Sequence, residues 1–284
     1  MSAAPEPSGS TELHLLHRLR EGDAGWANAL LRLVQDVPLY GAEKSFKLSP
    51  GELLSDRFLI GLAPKVWPQL RFEELRAALA MPPASFAAMM ADLKRANFLG
   101  LAYEGSAAQR VFKAYVEFPV PAQRLPGPAP GSVAAHLIYH GYKWDPDRGE
   151  DAALTRYWWA PELTADEIRH CLARHQAGIG HAAVRAAAQG MVEHCMRHGD
   201  ARRFQYIEAR EGAGSRVSYD LNVYAAQRPL GEVADLVRDA ARALGVDTAA
   251  LDTLLAESAG RMLGHVSAGT DRRGRDFLTV YYEQ

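Results

Sequence analysis

The sequence predicts an α+β fold, a ten-stranded antiparallel β-barrel surrounded by helices. The chain contains five pairs of short strand-like segments, and turns that contain Gly or Asp separate the two strands within a pair. Pairs of helical segments lie between most of them, so ββαα units recur at intervals of roughly 55 residues. The strands place polar and aromatic residues on one face and apolar residues on the other. Closure of such a sheet into a barrel removes its edges and gives the helices an apolar outer wall.

The predicted elements follow this order along the chain. An amphipathic helix at 13–37 comes first, because apolar residues recur there at helical spacing. The strand pairs are 43–48 with 54–63, 98–104 with 110–118, 141–145 with 154–160, 203–210 with 216–225, and 262–269 with 276–283. Helices are predicted at 72–80, 85–96, 164–176, 180–198, 230–244 and 248–260, with a capping box at 164–167. Prolines exclude a long helix between the second and third pairs and leave a short helix at 133–139.

The second strand of four hairpins repeats a two-residue signature. The four copies are Lys113-x-Tyr115, Arg156-x-Trp158, Asn222-x-Tyr224 and Thr279-x-Tyr281. Side chains two apart on a strand share a face, so each hairpin directs a polar group and an aromatic ring to the same side. The signature predicts a hollow barrel whose interior is lined by cations, hydrogen-bonding groups and rings.

Composition limits the function classes. A chain of 284 residues, 48% of them hydrophobic, forms one large domain, predicted at 12–284 after a disordered tail at 1–11. A net charge of −2 gives no overall positive field for nucleic acid or anionic membranes. Two cysteines are too few for a disulfide framework, and no stretch resembles a signal peptide or a membrane span. We therefore expect a cytoplasmic protein, and a monomer.

The first hairpin resembles a known family. Its segments Glu43-Lys44-Ser45-Phe46-Lys47 and Ser55-Asp56-Arg57-Phe58-Leu59 are similar to the Glu-x-Ser-x-Lys and Ser-Arg-Phe-Leu region of the cyanobactin-type peptide prenyltransferases. Lys113-Ala114-Tyr115 resembles that family's Lys-x-His/Tyr strand, and the closing hairpin also fits. The chain departs from the family at 119–131, where members carry more helix, and at Asp56, where they carry a small residue. The resemblance implies the ABBA prenyltransferase fold, a prenyl diphosphate donor, a peptide acceptor and dependence on Mg²⁺.

The inward residues suit the donor half of prenyl transfer. A diphosphate requires cations that make charge-assisted hydrogen bonds. The predicted diphosphate ligands are Lys47, Arg57, Lys113 and Arg156. An allylic cation is stabilised by aromatic faces that also exclude water. The rings predicted to shield it are Tyr115, Trp158, Tyr224 and Tyr281.

Carboxylates suit the acceptor half. Glu43 is predicted to be the acceptor's base or orienting group, a role that the resemblance implies and that burial of a carboxyl favours. The predicted acceptor-binding acids are Glu117, Glu208, Asp220 and Glu283. One base is enough for an aromatic acceptor, so their surplus favours a cation such as a guanidinium. Alternatively, some of them neutralise lysines and arginines inside the barrel or help to bind Mg²⁺.

Two other clusters are predicted to be structural. The His–Cys pairs at 170–175 and 194–198 lack a matched partner spacing, so no protein-held metal site is predicted. The 271–275 run, with three arginines, is predicted to be a solvated hairpin turn rather than a phosphate-binding group.

The predicted function is transfer of a short isoprenoid, dimethylallyl, from its diphosphate to a Tyr or Trp ring or an Arg guanidinium of a ribosomally derived peptide. One alternative is the same reaction on a small aromatic or guanidine-bearing metabolite. Another is a non-catalytic barrel that binds an isoprenoid or a peptide.

Overall fold

The computed structural model describes residues 25–105, 110–120, 133–148, 152–211 and 217–283. Within these ranges ten antiparallel strands close into a barrel, and a short extra strand pairs with the first of them. The barrel strands are β1 (Gly41–Ser49), β3 (Asp56–Leu62), β4 (Phe98–Gly105), β5 (Arg110–Glu117), β6 (His136–Trp144), β7 (Ala153–Ala160), β8 (Gln205–Glu211), β9 (Val217–Asn222), β10 (Leu263–Thr270) and β11 (Asp276–Glu283), and the extra strand is β2 (Glu52–Leu54). Each barrel strand pairs with the next, and β11 pairs with β1, which closes the sheet. The predicted fold class is confirmed.

Helices cover the outside of this barrel. They are α1 (Trp26–Leu33), α2 (Phe72–Ala78), α3 (Pro83–Leu93), α4 (Ala165–Gln176), α5 (Ala182–His198), α6 (Ala234–Ala243) and α7 (Thr248–Ser258), with 3-10 turns at Pro64–Gln69, Ala201–Arg203, Tyr224–Ala226 and Leu230–Val233. One apolar cluster joins α1, α2 and α3 to β3–β6, and another joins α4–α7 to β8–β11 and β1. Each fully buried large aliphatic side chain in them contributes about 1.5–3 kcal/mol. The predicted capping box is present, since the Glu167 N–H donates to Thr164 Oγ1 at 3.3 Å and the Thr164 N–H donates to Glu167 at 2.8 Å. None of the described helices combines the length and the apolar character needed to cross a bilayer.

Two predicted elements differ from the structure. The short helix at 133–139 is wrong, because β6 begins at His136 and is paired with β5 and β7. Pairing on both sides overrides a weak local helix preference. Strand β9 ends at Asn222, so Tyr224 lies in a 3-10 turn, where its N–H donates to Asn222 Oδ1 at 3.1 Å. The 1–11 tail, most of the 119–131 departure and the start of the first helix lie outside the described residues.

Cross-strand register decides which side chains enter the barrel, because directly paired residues share a face. Lys113 of β5 pairs with Lys143, and Tyr115 pairs with Gly141. Through Gly141 the inward face continues to Thr155 of β7, and two residues further on to Tyr157. Arg156 and Trp158 therefore lie on the opposite, helix-facing side, Arg156 exposed and Trp158 packed against the outer apolar cluster. Their predicted places as a diphosphate ligand and a shielding ring were wrong.

Glu208 also lies on the outer wall. It pairs with Trp158 and with Tyr219, both on the helix side, and its carboxylate contacts Arg174 and His175 of α4. Arg210 Nη2 lies 3.5 Å from its other oxygen. The predicted role of Glu208 in acceptor binding was wrong, because this charge belongs to an ion network between β8 and α4.

We expect Glu208→Gln to destabilise the fold and to leave ligand binding unchanged. The substitution leaves the buried His175 and two half-buried arginines without their shared anion. The loss is about 1–3 kcal/mol in the free energy of unfolding, measured by urea denaturation at pH 7. Unchanged stability together with weaker binding of inorganic diphosphate would contradict the outward placement.

Candidate active site

A cluster of buried charges occupies one end of the barrel. Among the described residues, four cations from four strands converge on one carboxylate, Glu104 of β4, and they are Lys47, Arg57, Lys113 and Lys143. Lys113 Nζ donates to Glu104 Oε2 at 2.7 Å, and Arg57 Nη2 lies 3.4 Å from the same oxygen. Arg57 also donates to Thr279 Oγ1 of β11 at 3.4 Å. We call this set the cation cluster.

The cation cluster carries more positive charge than Glu104 can neutralise. Burial alone would raise the pKa of Glu104, yet attraction to Arg57 and Lys113 leaves its pKa well below the usual value. The pKa of Lys47 falls to about 8, first because the amine is buried and then because Arg57 and Lys113 repel its charge, against the pull of Glu104. Within the described residues, Arg57 Nε is buried without a hydrogen-bond partner. A multivalent anion would relieve both the repulsion and the unpaired donor.

A cavity continues outward from the cation cluster. It has a volume of about 200 Å³ and is lined by Lys47, Glu104, Lys143, Arg148, Arg272 and Arg275, among others. The 271–275 segment is a turn, as predicted, with Gly274 at φ 72°. Its arginines nevertheless face this cavity, where Arg275 donates to Asp271 at 2.9 Å. The end of the barrel next to the cation cluster is therefore strongly basic.

Tyrosine rings form the middle of the barrel. Tyr115 and Tyr157 meet edge to face with centroids 5.6 Å apart, and Tyr139 meets Tyr157 at 6.2 Å. Gly141 makes this contact possible, since a Cβ there would lie 2.8 Å from Tyr157 Cε2. The Arg57 guanidinium lies 6.0 Å from the centroid of Tyr281. Burial raises the pKa of Tyr115 and of Tyr281, so both phenols stay neutral and offer π-faces next to the cation cluster.

Carboxylates occupy the other end. Tyr224 donates to Glu43 Oε1 at 2.6 Å, and His265 Nε2 lies 3.5 Å from the same oxygen. His265 Nδ1 lies 2.6 Å from Asp220 Oδ1. Burial raises the pKa of Glu117, against hydrogen bonds from Tyr139 and Asn97. Glu43, Asp220, Glu117 and His265 make up what we call the carboxylate end, and Glu283 pairs with Glu43 at the exposed rim.

The structure thus brings together most of the site residues predicted from the sequence. Lys47, Arg57, Lys113, Tyr115 and Tyr281 lie at or next to the cation cluster, and Glu43, Glu117, Asp220 and Tyr224 lie at the carboxylate end. Sequence reasoning missed Glu104, Lys143, Tyr157 and His265. Strand alternation is the signal that could have identified Lys143, because it lies two residues after Gly141 and so on the same face of the strand.

The binding of inorganic diphosphate should weaken above pH 8 because of Lys47. Below its pKa of about 8 the amine is charged, and each pH unit above that value lowers the charged fraction about tenfold. We expect the association constant of the wild type, relative to Lys47→Met, to fall between pH 7 and pH 9.5. Calorimetry of both proteins measures it, and the variant cancels the titration of the ligand itself. Parallel profiles would contradict a lowered Lys47 pKa.

Comparisons with known proteins identify the fold class of this barrel. No family model matches the chain, and no curated protein matches it. Solved structures do match, among them 5-dimethylallyltryptophan synthase from Streptomyces coelicolor, with a TM-score of 0.59, 13% identity, and coverage of 96% of this chain and 95% of that one. The chain has the ABBA fold.

Further solved structures share this ABBA barrel. The 6-dimethylallyltryptophan synthase from Micromonospora olivasterospora, in complex with DMASPP and Trp, matches with a TM-score of 0.58, 15% identity, and coverage of 96% and 95%. AnaPT from Neosartorya fischeri matches with a TM-score of 0.54, 12% identity, and coverage of 96% and 91%.

Proposed function

We propose that this protein is a prenyltransferase that moves a short isoprenoid, dimethylallyl, from its diphosphate to a nucleophilic side chain of a ribosomally derived peptide. The observation that carries the proposal is the cation cluster, in which buried positive charge exceeds buried negative charge beside a ring-lined chamber. An anion with an apolar tail satisfies both environments at once. The ABBA fold, shared with dimethylallyltryptophan synthases, supports prenyl transfer as the reaction.

The donor step follows from the charges. The C1–O bond of the allylic diphosphate breaks, and its electron pair leaves with the diphosphate. Arg57, Lys113 and Lys47 stabilise that leaving group through charge-assisted hydrogen bonds, which strengthen as negative charge develops. Tyr115, Tyr157 and Tyr281 face the allylic cation, and each ring stabilises it by about 0.5–2 kcal/mol. The closed barrel keeps water from quenching the cation.

The acceptor step takes place towards the carboxylate end. The nucleophilic atom of the acceptor forms a bond to C1, and its proton passes to Glu43. Burial opposes ionisation of Glu43, but His265 and the Tyr224 hydroxyl lower its pKa, so the carboxylate is ionised and ready to accept a proton. Asp220 and Glu117 add negative charge beside it, which suits an Arg guanidinium as well as a Tyr or Trp ring.

The expected Mg²⁺ finds no ligand set among the side chains that the structure describes. Among the described residues no three His, Cys, Asp or Glu side chains are grouped to hold a metal. Glu104, the carboxylate of the cation cluster, already accepts from Lys113. The described residues therefore do not fit a Mg²⁺ held by the protein alone.

A small aromatic metabolite is the second candidate acceptor. It is favoured by the solved structures that share the fold, which are named as synthases of dimethylallyltryptophan. The peptide acceptor is supported by the resemblance of the 43–59 hairpin to cyanobactin-type enzymes. The peptide and the small-metabolite proposals differ only in the acceptor that the carboxylate end must accommodate.

Incubation with dimethylallyl diphosphate and two acceptor sets tests the proposal. One set contains peptides with Tyr, Trp or Arg, and the other contains free tryptophan, tyrosine and arginine. We expect a peptide to gain the mass of one prenyl unit. A gain on a free amino acid alone would establish the second candidate, and binding of the donor without any transfer would indicate a non-catalytic barrel.

A further inference from the structure

An Asp–His pair lies directly behind Glu43. His265 is on β10, where register pairs it with Asn222 of β9 and Tyr281 of β11. Its Nδ1 lies 2.6 Å from Asp220 Oδ1, and its Nε2 lies 3.5 Å from Glu43 Oε1. Both ring nitrogens therefore face carboxylates. Only the doubly protonated ring can present an N–H to each of them.

Packing holds the imidazole in this position. The Tyr224 ring meets it edge to face at 5.6 Å, and the Tyr281 ring lies at 5.4 Å. The preceding residue is Gly264, where a Cβ would lie 2.5 Å from Tyr224 Cζ. Any larger residue at 264 would displace Tyr224 from both His265 and Glu43. The glycine thus allows the group of Glu43, Tyr224, His265 and Asp220 to assemble.

We infer that His265, held by Asp220, is a positioning residue that fixes one oxygen of Glu43 and keeps this carboxylate ready to take the acceptor's proton. The inference rests on the proposed function. Tyr224 and His265 both approach Oε1. In the described part of the chain no hydrogen bond reaches Oε2, which is the oxygen that accepts the proton when the acceptor bonds to C1. His265 itself takes no proton, because both of its nitrogens already carry one.

The other groups around Asp220 and His265 either favour the charged form of His265 or are neutral. Glu43 is approached by His265 and Tyr224, lies near Tyr139, and is paired in register with Glu283. Burial opposes the imidazolium, but Asp220 and Glu43 together hold the pKa of His265 well above its usual value. Tyr224 stays neutral because burial and Glu43 raise its pKa. His265 is therefore the cation that offsets the cost of an ionised Glu43.

The pH profile of prenyl transfer tests this role. We expect His265→Gln to move the acidic limb of kcat to higher pH by about one unit or more, because only the Tyr224 hydrogen bond then opposes the rise that burial causes in the pKa of Glu43. Asp220→Asn should move the limb in the same direction, and His265→Lys should restore it in part. The profile is recorded with dimethylallyl diphosphate and the peptide or amino acid that gains the prenyl unit in the assay above.

A matched control exists on the outer wall. His140 Nδ1 lies 2.5 Å from Asp92 of α3, a pair of the same kind that faces the helices. His140→Gln should leave the profile unchanged. A lower kcat in His265→Gln with an unmoved acidic limb would make His265 merely structural and would overturn the inference.

A second measurement does not depend on activity. Nuclear magnetic resonance titration of the ring carbons should show His265 still charged well above pH 6.5 in the wild type, and titrating at a lower pH in Asp220→Asn than in the wild type. Titration of wild-type His265 near pH 6.5 would overturn the inference whether or not transfer occurs. Absence of transfer to every acceptor, with His265 charged as expected, would contradict the proposed function instead.

Discussion

Arg57→Ala should lower the rate of prenyl transfer by about 100-fold to 1,000-fold, while Arg156→Ala leaves the rate within about twofold of the wild type. Arg57 is 6% exposed, lies 3.4 Å from Glu104 and donates to Thr279, so it faces the proposed diphosphate site from inside the barrel. Arg156 lies on the outer wall in register with His140. Both variants remove a guanidinium, which is buried inside the barrel at Arg57 and exposed outside it at Arg156. Single-turnover assays with dimethylallyl diphosphate measure the effect.

Folding must be separated from donor binding in this test. Loss of Arg57 leaves Glu104 with Lys113 at 2.7 Å, so the buried carboxylate keeps a partner. We expect Lys113→Gln to repeat the loss of transfer, and calorimetry to show weaker binding of inorganic diphosphate for both inner variants. Full activity in either inner variant, with cooperative unfolding retained, would exclude the cation cluster as the donor site.

Glu43→Gln should lower kcat by about 100-fold to 10,000-fold and leave the affinity for diphosphate unchanged. The amide preserves the shape of the side chain and the contact with Tyr224 at 2.6 Å, but it cannot accept the acceptor's proton. Glu283→Gln provides the control, since Glu283 pairs with Glu43 in the sheet but is exposed at the rim. Steady-state kinetics with saturating donor separate kcat from KM.

The same variant distinguishes acceptor types. A guanidinium acceptor that pairs with Glu43 would lose binding as well as rate, so KM for the acceptor should rise in Glu43→Gln. A neutral ring would lose rate with little change in KM. An unchanged kcat for every acceptor would remove Glu43 from the proton-transfer step.

Sequence patterns predicted the barrel because its strands alternate clearly. In β5 the even-numbered residues 112, 114 and 116 are apolar and buried under helices, while Lys113 and Tyr115 face inward. Such alternation determines the face of a strand without knowledge of its neighbours. The first hairpin and the closing hairpin show the same regularity, which is why Glu43, Arg57 and Tyr281 were placed on the inward face from the sequence alone.

Strands β7 and β8 show where this reasoning fails. Tyr157, Trp158 and Trp159 are consecutive aromatic residues, so both faces of β7 are compatible with a ring-lined interior. In β8 the small apolar Ala209 faces inward while Glu208 is buried outside against α4. In β8 the face on which Glu208 lies is determined by its ion pairs with α4 and not by the polarity of its side chain. His265 was missed because its significance depends on Asp220 and Glu43, which are 45 and 222 residues away in the sequence.

Opposite charges at the two ends of one barrel create an electric field along its axis. The potential is positive beside Arg57 and Lys113 and negative beside Glu43 and Asp220, and the low-dielectric wall of the barrel concentrates the field between them. The proposed donor, a prenyl diphosphate, would therefore be oriented before it reacts, with its phosphate head at the positive pole. In the proposed reaction, once the bond to that head has broken, the same field would direct the carbocation away from recombination with the diphosphate and towards the nucleophile, so positive charge would move through the barrel in one direction.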